Sequence, residues 1–203
     1  AFAMVGLSLE SIGDFDGDAL PDLAIGVPGQ NRVVIALGTA TPPAAPNNTW
    51  VLGTNDPNGF DIQGTPSVTN GYDFGWGLSA MTDVTGDGLQ DLAIARPGIN
   101  ASGAVDTSLR ALVYRVAGRA YAAASGLTAV SGSAVVAILD DANFVGGGCS
   151  FYDRGELSFL DFDDDGFVDL ACPPSGVADT TGAYVFFGSA SGLYSWSSRL
   201  KIT

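Results

Sequence analysis

One acidic loop occurs three times in this chain, and its spacing constrains the fold more than any other feature. The copies begin at Asp14, Asp83 and Asp161, so they are 69 and then 78 residues apart. Each copy has Asp at positions 1, 5 and 9, Asp or Thr at position 3, and then Leu-Ala before Ile or Cys. Three matches this close predict three structural repeats.

The loop has the spacing of a calcium site. Calcium takes six to eight oxygen ligands at about 2.3–2.6 Å, and alternate side chains of a tight loop can converge on one ion. We therefore expect ligands from positions 1, 3, 5 and 9 and from the carbonyl at position 7. The predicted ligands are Asp14, Asp16, Asp18, Leu20 and Asp22; Asp83, Thr85, Asp87, Leu89 and Asp91; and Asp161, Asp163, Asp165, Phe167 and Asp169. The sequence thus predicts about three Ca²⁺ ions.

Charge favours metal binding at these loops. The predicted ligands include half of the chain's 22 acidic residues, and the net charge is −14. Like charges about 4 Å apart repel by roughly 1 kcal/mol in water, and by more once they are desolvated. A bound cation would remove that repulsion. The alternative is that Asp-Gly clusters only form turns, and it applies most to the second loop, where Thr85 replaces a carboxylate and binding is expected to be weakest.

The residues around each loop separate it from an EF-hand. An EF-hand needs a bidentate Glu at position 12 and flanking helices, whereas position 12 here is Ile25, Ile94 or Cys172. Glycine at position 6 allows a sharp turn in the second and third loops. Ala19 holds that place in the first loop, so its turn is expected to differ slightly.

The flanking segments predict strands, because they are short, apolar and bounded by Gly or Pro. A strand precedes each loop and another follows it. We expect four antiparallel strands per repeat, which is the size of a propeller blade. The predicted first strands are 7–12, 78–81 and 157–160; the third are 32–37, 111–116 and 183–187; and the fourth lie near 49–52, 134–139 and 195–202. The predicted fold is all-β, one domain 1–203 with propeller-like blades at about 1–70, 71–142 and 143–203.

Composition excludes several partners and activities. With 8 basic residues against 22 acidic ones, the chain cannot build a basic face for nucleic acid or for an anionic membrane surface. No apolar run approaches the roughly 20 residues of a membrane span. Histidine is absent and no nucleophile motif is recognisable, so we predict no enzyme activity. The best local pair of carboxylates for glycosidase chemistry is Asp153 with Glu156.

Several features favour an extracellular protein. Cys149 and Cys172 fall at the two ends of a predicted hairpin, where a disulfide is expected, the alternative being two free thiols. Asn47 and Asn100 begin N-glycosylation triplets, which also arise by chance. The chain opens on Ala1 without an initiator Met, which suggests a processed or excised segment.

The loop and its surroundings resemble the FG-GAP repeat of integrin α-subunit β-propellers. The resemblance is carried by Asp-x-Asp-x-Asp-Gly-x-x-Asp-Leu-Ala, by Pro-Gly after it, by Phe74-Gly75-Trp76-Gly77 and by Tyr184-Val185-Phe186-Phe187-Gly188. It implies calcium in hairpin loops at one end of each blade. It also implies an extracellular adhesion or recognition module, or an appendage of a secreted enzyme, without catalysis of its own.

The number of repeats departs from that family, whose propellers have seven blades. Three blades leave two open flanks, since propellers close with about four to eight. The chain is then a piece of a longer propeller, half of a six-bladed ring, or the subunit of a filament. We expect association with other copies of the chain.

The predicted function is a calcium-stabilised, extracellular structural, adhesion or self-assembly module. The alternative is an accessory or glycan-binding domain of a secreted hydrolase, with sugars stacked on Trp50, Trp76 or Trp196.

Overall fold

The computed structural model describes residues 4–41, 58–64, 74–96, 112–118, 128–129, 135–138, 158–172, 182–189 and 199–203. These residues form strands and turns, apart from a short 3-10 helix at Pro28–Gln30. None of the described segments is a helix of the length and apolarity that a membrane crossing requires.

The first sheet is built from four consecutive antiparallel strands. These are β1 (Leu9–Gly13), β2 (Asp22–Val27), β3 (Arg32–Ala36) and β4 (Gly59–Gln63), hydrogen-bonded in sequence order. The short strand β8 (Thr128–Ala129), which comes much later in the chain, adds to the outer edge of this sheet in parallel with β4.

The other two sheets repeat the same order. The second contains β5 (Gly77–Met81), β6 (Asp91–Arg96), β7 (Leu112–Val116) and β9 (Val135–Ile138). The third contains β10 (Ser158–Leu160), β11 (Asp169–Cys172), β12 (Ala183–Phe186) and β13 (Arg199–Ile202). All their pairings are antiparallel. The predicted all-β fold of propeller-like, four-stranded units is confirmed.

The middle sheet packs on both neighbours through alternate residues of β6. Leu92 and Ile94 join a fully buried cluster with Ile12, Ile35 and Phe60 of the first sheet. Ala93 and Ala95 join a second cluster on the opposite face, with residues of the third sheet that include Leu170, Cys172, Tyr184 and Phe186. Because side chains alternate across a strand, one short apolar run serves two interfaces. The innermost strands β1, β5 and β10 are neighbours in the same order.

The Phe-Gly pair before β5 fits between the first two sheets. Phe74 is fully buried in their shared core. Gly75 has φ +87°, and its carbonyl accepts a hydrogen bond of 2.8 Å from the Ser8 hydroxyl. A Cβ at Gly26, on the facing strand, would collide with that same carbonyl. The aromatic residue fills the interface, and the two glycines let the backbones approach.

The fourth strand of the first unit was predicted at the wrong place. Residues 49–52 lie outside the described residues, and the strand that pairs with β3 is β4, inside a stretch that reads as a polar insertion. β4 alternates, with Phe60 and Ile62 buried in the core and Asp61 on the other face. Asp61 is also buried, and Arg32 of β3 pairs with it. A search for apolar residues misses this strand because it contains a charged residue. That residue can be buried only because it has a partner of opposite charge.

Candidate metal centres in the acidic loops

Each acidic loop joins the first two strands of its sheet. The loops run from Asp14 to Asp22 between β1 and β2, from Asp83 to Asp91 between β5 and β6, and from Asp161 to Asp169 between β10 and β11. Because the three sheets share one strand order, and their inner strands are neighbours, the loops lie at the same end of the three sheets.

The Asp at position 1 organises the turn by accepting backbone N–H groups. Asp14 accepts from Gly17 and Ala19 at 2.7 and 3.0 Å. Asp83 accepts from residues 86, 87 and 88 at 2.6 to 3.1 Å. Asp161 accepts from residues 165 and 166 at 3.1 and 3.0 Å. Each carboxylate oxygen can accept more than one bond, so these contacts leave lone pairs for an ion.

Two positions of every loop have left-handed backbone. Position 4 is Gly17, Gly86 or Asp164, with φ between +60° and +88°. Position 6 is Ala19, Gly88 or Gly166, with φ between +69° and +88°. The expectation that Ala19 alters the first turn is therefore wrong, because Ala19 adopts the same left-handed conformation as the two glycines. This conformation is unfavourable for a residue with a Cβ, so Ala19 adopts it because the rest of the loop requires it.

The Asp at position 9 fastens the loop to the third strand of the same sheet, a role that the sequence did not reveal. One oxygen of Asp22 accepts from Phe15 N at 2.8 Å, and the other accepts from Gly38 N at 2.7 Å. The corresponding bonds join Asp91 to Val84, Thr85 and Gly118 at 3.0, 3.0 and 3.2 Å, and Asp169 to Phe162 and Gly188 at 2.8 and 2.7 Å. All three carboxylates are buried.

The three glycines that donate an N–H group to the Asp at position 9 are needed for the same steric reason. Gly38, Gly118 and Gly188 each lie two residues beyond the third strand of their sheet. A Cβ at Gly38 or Gly188 would lie 2.5 Å from the carbonyl oxygen of Pro21 or Val168, the residue at position 8, and Gly118 is at least as crowded against Gln90. The glycine that follows each third strand was the signal in the sequence from which this contact could have been predicted.

Carboxylates converge in the first and third loops. Oxygens of Asp14, Asp16 and Asp18 lie within 4.8 Å of one another, and so do oxygens of Asp161, Asp163 and Asp169. Two ligands on opposite sides of one Ca²⁺ are separated by about twice the 2.3–2.6 Å bond length. Both groups therefore fit a single calcium ion. Asp22 and Asp165 are outside these converging groups, as are the carboxylates of the second loop.

Burial, backbone hydrogen bonds and neighbouring charges each shift the pKa of carboxylates in the loops. Burial raises the pKa of Asp16, and the negative charges of Asp22, Asp18 and Asp14 add to the effect. Desolvation, followed by the charges of Asp165 and Asp169, likewise raises the pKa of Asp163. In the second loop, hydrogen bonds from backbone N–H groups, that of Gly88 first, lower the pKa of Asp83. Burial also raises the pKa of Asp91 in the second loop, so raised pKa values do not by themselves distinguish the converging loops from the second one.

The second loop uses Thr85 to join carboxylates. Its hydroxyl lies 3.4 Å from Asp83 Oδ1 and 3.3 Å from Asp91 Oδ1, within reach of hydrogen bonds to both. A donor at position 3 can take part of the role that a cation would have in the other loops. Metal binding by all three loops, with the carbonyl ligands of Leu20, Leu89 and Phe167, stays a prediction.

The remaining predicted sites are mostly outside the described residues. These are Cys149, Asn47, Asn100, Asp153, Glu156, Trp50 and Trp196. Cys172 is disulfide-bonded and buried. Trp76 is partly buried and packs against the cluster between the second and third sheets, so it is not a freely exposed sugar-stacking surface.

The fold and loops define a class of protein: repeated four-stranded sheets, each with an acidic calcium-type loop between its first two strands. Comparison with known proteins agrees. Residues 9–40, which span the first loop, match the FG-GAP repeat family. The chain is also 34% identical over 104 residues to integrin alpha-PS5 of Drosophila melanogaster, a match that covers 49% of this chain and 9% of that protein. The predicted resemblance to FG-GAP repeats and integrin α subunits is confirmed, while the chain spans less than a tenth of the relative's length.

Proposed function

We propose that this chain is a calcium-stabilised, non-catalytic module of an extracellular adhesion protein. The observation that carries the proposal is the convergence of Asp14, Asp16 and Asp18, and of Asp161, Asp163 and Asp169, in loops of one design. Resemblance to an integrin α subunit supports the extracellular location and a role in binding other proteins. A disulfide between Cys149 and Cys172 would suit the same location.

The metal would act on structure. Bound Ca²⁺ would neutralise the converging carboxylates and hold together the two strands that each loop joins. In the third unit position 9 would transmit that constraint, because Asp169 belongs to the converging group and also accepts the N–H of Gly188 beyond the third strand. Calcium would thus rigidify three strands of a unit at once. We expect the second loop to bind most weakly.

The end faces of the array support assembly with another repeat. Leu92 and Leu170 are fully buried against the preceding sheet, whereas the equivalent Leu23 of the first sheet is 38% exposed. At the opposite end Phe162 is 47% exposed, whereas the equivalent Phe15 is fully buried. Positions that are buried between neighbouring sheets are therefore exposed where they occur on the first and last sheets. We propose that another copy of the chain covers them.

Calcium stoichiometry tests the metal proposal. Native mass spectrometry in calcium should count two tightly bound ions, and a third at higher concentration. Asp163→Asn should remove one tight ion and lower the calcium-dependent gain in melting temperature. Asp164→Asn is the matched control, because it makes the same change of charge one residue away, outside the converging group, and Asn tolerates the left-handed backbone there.

The proposal fails if chelation leaves the melting temperature unchanged, or if the two variants lose the same number of ions. A glycan-binding accessory domain is the competing function, and no described residue specifically favours it. An array of immobilised glycans probed with the calcium-loaded chain would reveal it.

A further inference from the structure

A cleft opens between the second and third acidic loops. Its volume is about 250 Å³. Apolar groups line most of it, and Arg115 of β7 contributes a cation. The lining includes the side chains of Met81, Val84, Arg115, Phe167 and Val168. A side-chain-sized ligand would fit this space.

The equivalent place between the first and second loops is filled. Phe15, at position 2 of the first loop, is fully buried there, and its ring centroid lies 6.2 Å from that of Phe60. Gln90 and Leu89 of the second loop close the same place against the backbone of Gly13 and Gly17. Between the second and third loops the corresponding residues differ. Val84 replaces Phe15, and Val168 replaces Gln90. Smaller side chains at these two positions leave the cleft, although Phe167 is larger than the equivalent Leu89.

The cleft also exchanges an apolar residue for a charged one. Ile35 pairs with Ala24 in the first sheet, and Arg115 pairs with the equivalent Ala93 in the second. Ile35 is fully buried, whereas Arg115 is half-buried and borders the cleft. The ion pair formed by Arg32 and Asp61 does not involve Arg115, which has no carboxylate partner in the part of the chain that the structure describes.

A carboxylate is the chemical complement of this arrangement. The planar guanidinium of arginine presents paired N–H donors that match the two oxygens of a carboxylate. Asp83 lines the same cleft with a negative charge that three N–H groups of its own loop stabilise, so Arg115 is the lining group that attracts an anion. An incoming carboxylate would therefore meet Arg115 as the available charge, with the aliphatic side chains around it.

We propose that the cleft between the second and third loops binds a small carboxylic acid with a short apolar body. The carboxylate pairs with Arg115, and the apolar part contacts Met81, Val84 and Val168. The proposal needs neither a metal ligand nor assembly of the chain, so it stands apart from the calcium function proposed above.

A matched pair of probes tests the chemistry on the calcium-loaded 203-residue chain. N-acetyl-leucine and N-acetyl-leucinamide share one apolar body, and only the first has a carboxylate. Titration followed by NMR should show saturable binding of N-acetyl-leucine in the millimolar range and none of the amide. Inorganic phosphate serves as a third probe, and equal binding of phosphate would overturn the assignment to carboxylates.

Two independent variants test the location. Arg115→Gln should weaken binding about tenfold or more, the cost of losing a hydrogen bond between charged partners. Val84→Phe should fill the cleft as Phe15 fills its counterpart, and should also abolish binding. Lys201→Gln, the control, makes the same change of net charge away from the cleft lining and should leave binding unchanged.

Circular dichroism and thermal unfolding establish that each variant is folded. Absence of N-acetyl-leucine binding to the folded native chain would overturn the proposal. So would binding that survives in whichever of the two cleft variants folds.

Discussion

At the scale of single residues, the left-handed backbone at positions 4 and 6 is the strongest constraint on each loop. Glycine occupies four of these six places, and Ala19 and Asp164 occupy the others. The Asp at position 164 tolerates this conformation better than most residues, whereas alanine has no compensating hydrogen bond from its side chain. The first loop therefore carries a local cost that the other two avoid.

Replacing Ala19 by glycine should relieve that cost. We expect Ala19→Gly to raise the free energy of unfolding by about 0.5–1 kcal/mol, since glycine removes the Cβ clash but adds freedom to the unfolded chain. Urea denaturation in excess calcium would measure it. Ala183→Gly, in β12, is the matched control and should lower stability by about 0.5–1 kcal/mol. A loss of stability in Ala19→Gly would contradict this account of the turn.

At the scale of elements, the unit of construction is a loop bound to three strands. The Asp at position 9 begins the second strand, accepts an N–H group from its own loop and accepts another from the glycine beyond the third strand. Because the carboxylate is buried, those hydrogen bonds compensate for its desolvation. The loop therefore cannot move independently of the third strand.

Substitution of the glycine that donates its N–H group to the Asp at position 9 should disturb both packing and metal binding. In Gly188→Ala the new Cβ would meet the Val168 carbonyl oxygen, and a forced backbone shift of this kind costs about 1–3 kcal/mol. Calcium affinity of the third loop should fall as well, because Asp169 would lose its position. Denaturation and calcium titration would measure the two effects. Ser158→Ala, an exposed change on the neighbouring β10, should alter neither, and unchanged stability in Gly188→Ala would refute the steric argument.

At the scale of the whole molecule, the two end faces correspond to the two sides of each interface between neighbouring sheets. The first sheet presents Leu9 and Leu23, and the third sheet presents Leu160 and Phe162. Between the sheets, equivalents of these residues pack together in two buried clusters. Contact of one end with the opposite end of a second copy would repeat that packing, and such a head-to-tail interface makes a ring or a filament.

Complementary variants test head-to-tail contact. Sedimentation in calcium should detect assemblies of the native chain, while Leu23→Glu and Phe162→Glu should each be monomeric, because each buries a charge in one end face. A mixture of the two should form a 1:1 dimer, since each supplies the end that the other lacks. Gln30→Glu, exposed on the short 3-10 helix, should assemble normally. A monomeric native chain in calcium would exclude the self-assembly proposal.

Much of the site and fold was predictable because it depends on local order. Three loops of fixed spacing, flanked by short apolar runs, were sufficient to predict strand-flanked loops and four-stranded units. Positions 1, 3 and 5 of the first loop converge as a tight turn dictates. The fourth strand of the first unit was missed because Asp61 becomes compatible with a buried strand only through Arg32, a partner on another strand.

The sequence by itself determined the repeat, the strands beside each loop and the residue types that suit calcium, because these follow from spacing along the chain. Tertiary structure decided which carboxylates meet and that position 9 binds the backbone beyond the third strand. It also decided that Val84 and Arg115 border a cleft, whereas the equivalent Phe15 and Ile35 fill the core between the first two sheets. Those outcomes depend on how sheets stack, and stacking brings together residues that no local pattern connects.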